Sequence, residues 1–246
     1  MAKQNIYDNE TFFDGYRELR YREVNANTLF EIPTLISLLP DLEGKRVLDL
    51  GCGMGEHCVD YVNRGASRVV GVDISKKMLE VANKENADPK ITYLNIPMED
   101  IGNIDEKFDV VISSLAIHYI EDFKGVVENV YSFLDEGGIF LFSQENPINT
   151  CYTPDHPRWT LNEEGVKVYV NIANYCVEKR YDSTWFVDGV QKYHRMFSTI
   201  VNTLADAGFK IQKMAEPHAT KEIVDKYPEY YDLYHKPDFL FVKSVK

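Results

Sequence analysis

The chain has 246 residues and 44% hydrophobic content, which is sufficient for one α/β domain with an added segment. Its formal net charge of -12 disfavours a nucleic-acid partner, because such proteins need a basic face to neutralise phosphates. The sequence has neither an apolar stretch of transmembrane length nor a signal peptide at Met1, so we expect a cytoplasmic protein with no membrane partner.

Residues 1–44 are predicted to form a helical cap. Residues 11–23 are rich in aromatic and arginine side chains. A second amphipathic segment covers residues 29–39, with Pro33 near its start and Pro40 at its end, positions that suit the boundaries of a helix. The simplest interpretation is a pair of helices packed on the edge of a sheet.

A buried strand that runs into a glycine turn follows this cap. Residues 47–50 form a short apolar run, which is typical of a central parallel strand covered on both faces. Asp49 interrupts the run, and a buried carboxylate needs a partner, so we expect it to serve the turn or a ligand. Gly51, Gly53 and Gly55 allow backbone conformations closed to other residues and a close approach of ligand to main chain.

Glu56 narrows the type of ligand. It stands where the dinucleotide fingerprint G-x-G-x-x-G has its third glycine. A carboxylate at the start of the next helix occupies the position where a pyrophosphate needs the helix N-terminus. The turn therefore favours a nucleoside without phosphates and argues against a nicotinamide-dependent oxidoreductase.

A second strand completes a β-α-β unit. Asp73 ends this apolar run, where a doubly wound fold places the carboxylate that accepts hydrogen bonds from ribose hydroxyls. Between the strands, Cys58 and Val62 lie on one apolar face of a short helix, and Gly65 suits its C-terminal stop. We therefore predict a ribose-binding end for this unit.

Three further landmarks follow in order along the chain. They are a strand and turn at 91–100, a strand with the segment after it at 108–119, and a helix end, turn and strand at 134–143. Together with the VLDLGCGMG segment at 47–55 and Asp73, they resemble the class I S-adenosylmethionine-dependent methyltransferases. Five ordered landmarks make this resemblance far more specific than a lone glycine motif.

The resemblance implies S-adenosylmethionine as the cofactor and a position for each of its parts. The residues implied for the methionine part are Asp49, Gly51, Cys52, Gly53 and Gly55. Asp73 is implied for the ribose, and Ile74 and Met78 are implied for the adenine faces. Glu99 and Asp100 are implied for the adenine edge, and Ser114 for the methyl side. A core role fits Met78 equally well, and a one-residue shift at a strand end would exchange Glu99 and Asp100.

In the resembled family an N-terminal helix often covers the cofactor, whose methionine carboxylate needs a cation or amide donors. Tyr16, Arg20 and Arg22 are the candidates for this role. Arg20 is preferred because Tyr16 shares its helix face at a spacing of four residues. Solvated surface arginines are the alternative.

Residues 146–195 are predicted to be a β-rich insertion on the substrate side. Both tryptophans of the chain lie in this segment. Residues 166–172 and 174–181 alternate as strands do, and Asp188-Gly189 is typical of a hairpin turn. Because folds of this kind build substrate sites at the carboxyl ends of parallel strands, we expect Tyr119, Tyr152 and Tyr193 to shape an acceptor pocket. An ordinary aromatic cap is the alternative.

His118, His194 and Glu145 are the candidate catalytic residues. The methyl group of the cofactor is already activated, so the protein must chiefly align the acceptor and exclude water. A base is needed only if the acceptor holds its proton at neutral pH. His118 comes first because it follows the fourth strand, although a packing role fits it equally well.

The predicted fold is α/β, with a Rossmann-like, doubly wound, mostly parallel sheet of seven strands and an antiparallel last strand. Its segments are the cap at 1–44, the cofactor-binding core at 45–145, the insertion at 146–195 and the last helix and strands at 196–246. The four cysteines lack C-x-x-C spacing, so no metal site is predicted.

The leading hypothesis is a methyltransferase acting on a small molecule. A non-catalytic S-adenosylmethionine-binding regulatory module is the alternative. The sequence leaves the oligomeric state and the identity of the acceptor open.

Overall fold

A computed structural model describes residues 3–153 and 155–246 of the chain. The strands are β1 (Arg46–Leu50), β2 (Arg68–Asp73), β3 (Ile91–Asn95), β4 (Phe108–Ser113), β5 (Leu134–Glu145), β6 (Trp159–Leu161), β7 (Lys167–Val170), β8 (Lys179–Trp185), β9 (Val187–His194), β10 (Lys210–Ala215) and β11 (Phe239–Val245). The α-helices are α1 (Glu10–Tyr21), α2 (Ile32–Leu38), α3 (Glu56–Asn63), α4 (Lys76–Glu85), α5 (Phe123–Phe133), α6 (Pro147–Thr150), α7 (Phe197–Asp206) and α8 (Lys221–Lys226).

Seven strands form one sheet in the order β10-β11-β5-β4-β1-β2-β3. The first five strands pair in parallel, and β11 runs antiparallel to both of its neighbours, β5 and β10. The predicted fold class is therefore confirmed. Among the described residues, no helix is both long and apolar enough to cross a bilayer.

The sheet is covered on both faces, as the apolar run of β1 predicts. Val47 packs into a cluster with α2, α3 and α4, whereas its neighbour Leu48 packs into a cluster with α5 and α7 on the other face. Both side chains are 0% exposed. Since parallel strands buried on both faces end at a common edge, β1, β2, β4 and β5 bring Asp49, Asp73, Ser114 and Glu145 to that edge.

The N-terminal segment lies across this edge. A 3-10 turn at Ile6–Asp8 precedes α1, and Asp8 Oδ1 accepts hydrogen bonds from Ser75 Oγ at 2.6 Å and Lys77 N at 3.1 Å at the start of α4. A π-helical turn at Asn27–Glu31 leads directly into α2. The two predicted amphipathic helices are present, with this π turn between them.

The insertion forms two antiparallel hairpins, β6-β7 and β8-β9. The strand predicted at 166–172 is present as β7, but the prediction for 174–181 was wrong because β8 begins only at Lys179. The predicted turn at Asp188-Gly189 was also wrong, since both residues lie inside β9.

The β8-β9 turn is centred on Phe186 instead, which has a φ of 58°. A Cβ on Gly15 of α1 would lie 2.6 Å from Phe186 Cδ1. Tertiary packing against α1 therefore fixes the turn at a residue that local sequence preferences would not select.

Candidate active site

The glycine turn lies at the carboxyl ends of β1 and β2. Gly51 and Cys52 both donate their amide N–H groups to Val72 O, at 2.8 and 3.0 Å, which holds the turn against β2. Gly51, Gly53 and Gly55 have φ values of 75°, 55° and 83°, in the left-handed region that favours glycine. Cys52 thus contributes through its backbone, and its side chain is buried.

The three glycines serve different purposes. A Cβ on Gly51 would lie 2.5 Å from the Cβ of Ala116, and one on Gly55 would collide with the Tyr93 hydroxyl. A Cβ on Gly53 would meet nothing within 4 Å. The protein itself fills the space beside Gly51 and Gly55, whereas Gly53 borders open space that a ligand can enter.

Asp73 is fixed beside this open space. Its Oδ2 accepts a hydrogen bond from Gly53 N at 2.9 Å, and its Oδ1 accepts one from Ser75 N at 2.8 Å. The Asn95 side chain donates to the carbonyl oxygens of Asp73 and Ile74, at 3.0 and 2.8 Å. Burial raises the pKa of Asp73 to about 6, so the group is ionised at neutral pH and able to accept hydrogen bonds from ligand hydroxyls.

Asp49 lies beneath the turn, with 1% of its surface exposed. Burial raises the pKa of this carboxyl to about 6, while His57 and a hydrogen bond from Cys58 Sγ to Oδ2, at 3.4 Å, oppose the shift. The Asp49 side chain is therefore joined to α3, the helix that follows the turn.

Arg20 and Tyr16 project from α1 toward the start of α3. Arg20 forms an ion pair with Glu56, and its side chain is 11% exposed. Burial lowers the pKa of Arg20, but the neighbouring Tyr16 and Glu56 outweigh this effect and keep it above its ordinary value. A guanidinium has five N–H donors, so this ion pair leaves others available to a ligand.

The residues predicted for adenine take different environments. Met78 is 1% exposed and lies in the interior of the domain, while Glu99 is half-buried. Asp100 is exposed and forms an ion pair with Lys3 at 2.5 Å. The carbonyl of Ile74 also accepts a hydrogen bond from Asn5 Nδ2 at 3.3 Å, so the N-terminal segment covers this end of the site.

His118 lies in a 3-10 turn at Ile117–Tyr119 after β4. Its Nδ1 accepts a hydrogen bond from Glu145 N at 3.4 Å. Burial lowers the pKa of His118 to about 3, so the ring is neutral at physiological pH. A neutral ring that accepts at Nδ1 carries its proton on Nε2, and His118 therefore presents a hydrogen-bond donor.

Glu145 ends β5 beside His118 and is engaged at both oxygens. Lys192 of β9 forms an ion pair with Oε1, and Tyr181 of β8 donates to Oε2 at 3.0 Å. Burial would raise the pKa of Glu145, but Lys192 and the other partners hold it below its ordinary value. The Lys192 ammonium group also lies 5.8 Å from the centre of the Tyr119 ring.

Five aromatic residues, here called the aromatic wall, surround this side of the site. They are Tyr7, Phe12, Tyr16, Tyr119 and Trp185. Tyr7 contacts Phe12, Tyr16 and Tyr119 edge-to-face, with ring centres 4.9, 5.2 and 6.0 Å apart. The aromatic wall therefore joins the N-terminal cap to the β8-β9 hairpin.

The other predicted catalytic histidine, His194, has hydrogen-bond partners different from those of His118. Its Nδ1 lies 2.6 Å from Thr150 Oγ1, and its Nε2 lies 2.8 Å from the carbonyl oxygen of Tyr175. The carbonyl of Tyr175 can only accept, so Nε2 is the donor in that contact, whereas the Thr150 hydroxyl can donate or accept. The structure thus places His194 at the base of the insertion, where both ring nitrogens have protein partners.

The three predicted substrate tyrosines have different surroundings. Tyr152 is 38% exposed and packs against Arg158, 5.3 Å from its ring centre. Tyr193 alternates along β9 with Lys192 and so lies on the opposite face of that strand. Tyr119 lies next to His118, with ring centres 4.3 Å apart.

Ser114 contacts a buried glutamate that the sequence did not single out. Ser114 Oγ and Ser143 Oγ both donate to Glu31 Oε1, at 2.8 Å each. Glu31 is 0% exposed. The carboxylate at the end of the π-helical turn therefore reaches the carboxyl ends of β4 and β5.

A family model described as a methyltransferase domain matches residues 41–199 of the chain. The chain belongs to the S-adenosylmethionine-dependent methyltransferases. A crystal structure of such a methyltransferase from Mesorhizobium loti is 35% identical, with a TM-score of 0.81, and the match covers 90% of this chain and 98% of that one.

Two other comparisons also span nearly whole proteins. A Listeria monocytogenes protein assigned to the same family is 36% identical, with a TM-score of 0.78 over 88% of this chain and 97% of that one. An uncharacterized protein of Haemophilus influenzae is 38% identical over 99% of this chain and 98% of its own length.

Membership in this family confirms that the protein is an enzyme and that S-adenosylmethionine is its cofactor. The site fits this cofactor, because Gly53 borders open space and Asp73 offers a fixed carboxylate beside it. The methyltransferase is therefore neither a nicotinamide enzyme nor a module that only binds the cofactor.

Lys192, Tyr7 and Glu31 are three residues of this site that the sequence did not predict. The alternation of β9 could have identified Lys192, because it shares an inward face with His194. Tyr7 and Glu31 lie in the N-terminal cap, and only the packing of that cap onto the sheet edge brings them to the site.

Proposed function

We propose that this methyltransferase acts on a small-molecule acceptor, held between the aromatic wall and the carboxyl ends of β4 and β5. The observation that carries the proposal is the enclosure of His118, Glu145 and Lys192 beneath the N-terminal segment and the β8-β9 hairpin. His118 and Lys192 are buried, and the side chain of Glu145 is 19% exposed. An acceptor must fit within this enclosure to reach the methyl group.

Contacts between the cap and the hairpin support the enclosure. Gln191 N donates to Gln4 Oε1 at 2.6 Å, and Gln4 Nε2 donates back to Gln191 O at 3.5 Å. The Tyr7 and Tyr119 hydroxyls are 3.5 Å apart. A folded protein or a nucleic-acid helix could enter only if both elements separated, and the acidic net charge also opposes a nucleic acid.

The cofactor supplies an activated methyl group, and the protein aligns the acceptor and excludes water. His118 donates a hydrogen bond from Nε2 to the acceptor. It does not serve as the base, since a group with a pKa of about 3 takes up almost no proton at neutral pH. Glu145 is held by Lys192 and Tyr181. We infer that the acceptor atom reaches the site with its lone pair already available.

The cofactor contacts predicted from the sequence are part of this proposal. Gly53 lets the methionine part approach the main chain, Asp73 accepts the ribose hydroxyls, and Arg20 binds the carboxylate with its remaining donors. The adenine is held near Ile74, and Glu99 is favoured over Asp100 for its edge, because Asp100 is exposed and paired with Lys3.

An acceptor screen tests the proposal. The enzyme is incubated with labelled S-adenosylmethionine and a cell extract separated into low-mass metabolites, proteins and nucleic acids. We expect the label in the low-mass fraction, with loss of transfer in Lys192→Met and unchanged transfer in Tyr169→Phe, which alters an exposed tyrosine of the insertion. Label found only in protein or nucleic acid would contradict the proposal.

A further inference from the structure

We propose that Glu31, with Ser114 and Ser143, forms a binding site for an ammonium group at the carboxyl ends of β4 and β5. The site does not depend on the size of the acceptor, so it stands or falls separately from the proposed small-molecule function. Three observations on the described residues support it.

The first observation is an incomplete set of partners. Glu31 is 0% exposed, and its Oε1 accepts both serine hydroxyls. Its Oε2 is buried and has no hydrogen-bond partner among the described residues. Burying a carboxylate oxygen without a partner is costly, so the site is complete only when a ligand supplies a donor.

The second observation is the backbone around the site. Leu115 has a φ of 49°, an unfavourable conformation for a residue with a Cβ. Ser143 holds it there, since Leu115 N donates to Ser143 Oγ at 3.0 Å and to Ser143 O at 3.1 Å. Glu31 itself ends a π-helical turn. Strained residues and π turns are concentrated at functional sites.

The third observation is the charge in this region. The charges of Asp73 and Glu31 add to the effect of burial in raising the pKa of Asp49. Arg20 of the cap, which feels the charge of Glu31, is paired with Glu56. A cationic ligand with N–H donors would both complete the hydrogen bonds of Glu31 and balance this negative charge.

An ammonium group has two sources at this position. One is the α-ammonium of the methionine part of the cofactor, and the position of Glu31 near Arg20 and Asp49 favours this source. The other is an amine on the acceptor, and the bond from Ser114 to Glu31 favours this source because Ser114 directly follows β4. Both present the same chemistry to Glu31, and ligands that lack one or the other distinguish them.

Glu31→Gln is the test variant, because it keeps the shape of the side chain but removes its charge. The matched control is Glu18→Gln, an exposed glutamate of the same cap. Calorimetry compares binding of S-adenosylhomocysteine with that of its deamino analogue, in which hydrogen replaces the α-amino group. A second titration adds butylammonium, or butanol as its neutral control, to the S-adenosylhomocysteine complex.

We expect Glu31→Gln to weaken the binding of S-adenosylhomocysteine about tenfold, as loss of a charge-assisted hydrogen bond predicts. Binding of the deamino analogue should weaken less than about twofold. If butylammonium binding is lost instead, with S-adenosylhomocysteine unchanged, the ammonium site serves the acceptor. Equal effects on both nucleosides would overturn the inference, because Glu31 would then be structural. An absence of any effect would overturn it as well.

Discussion

Gly53 donates its amide N–H to the carboxylate of Asp73 at 2.9 Å, and this bond joins the turn after β1 to the end of β2. Gly53, which borders open space, is therefore held by Asp73, the residue predicted to bind ribose. Any ligand seated on the turn lies beside a carboxylate whose second oxygen is fixed by Ser75.

Asp73→Ala should weaken S-adenosylmethionine binding by about 1.5 to 3 kcal/mol, the value of a hydrogen bond to a charged group. Calorimetry measures the change, and an unfolding curve of the ligand-free variant shows whether the fold survives. An unchanged dissociation constant would mean that ribose is held elsewhere.

Substitutions of two turn glycines should have different effects, one on the stability of the fold and the other on cofactor binding. Gly51→Ala places a Cβ 2.5 Å from that of Ala116, so we expect a large loss of thermal stability. Gly53→Ala meets nothing within 4 Å, so its fold should lose only about 1 kcal/mol from backbone strain while cofactor affinity falls sharply. Thermal unfolding and calorimetry on both variants test this, and the reverse order of effects would refute it.

Asp49 should make the ligand-free protein more stable in mild acid. Its pKa of about 6 in the folded protein lies above the ordinary value for aspartate, so folding favours the protonated carboxyl. The stability from this group is present in full below about pH 4 and is lost as the pH rises through about 6, a change of roughly 3 kcal/mol.

Urea unfolding at about pH 5 and about pH 7.5 measures this dependence. Asp49→Asn cannot titrate, so it should lose less stability between the two pH values than the unaltered protein. An identical difference in both proteins would show that Asp49 is not the group responsible.

The sequence predicted those parts of the site that arise from local chain geometry. The strand, the glycine turn and Asp73 lie within one β-α-β unit, so their spacing alone determines how they meet. Glu31 and Phe186 are different, because their roles depend on residues that are distant in sequence. Glu31 bonds to Ser114, more than 80 residues away, and Phe186 packs against Gly15 of α1. Periodicity and turn preferences contain no information about such contacts.

His118 should leave no trace in the pH dependence of methyl transfer. Its pKa of about 3 lies well below neutral pH, so titration of His118 should not change kcat near neutral pH. His118→Ala should lower kcat about tenfold through the loss of one donor, and His118→Gln, which keeps an N–H group, should recover part of it. A limb near pH 6.5 that disappears in His118→Gln would instead identify a titrating base.

Removing one partner of the Glu145–Lys192 ion pair should destabilise the fold more than removing both. The two side chains are 19% and 10% exposed, so Lys192→Met leaves a carboxylate buried without its cation and should destabilise the fold by about 3 kcal/mol. Glu145→Gln combined with Lys192→Met removes both charges and should restore most of that loss, because Tyr181 can still donate to the amide oxygen. Urea unfolding of the two single variants and the double variant gives the coupling energy directly. Additive losses would show that the two charges do not depend on each other, and the buried pair would then have no part in holding the β8-β9 hairpin against β5.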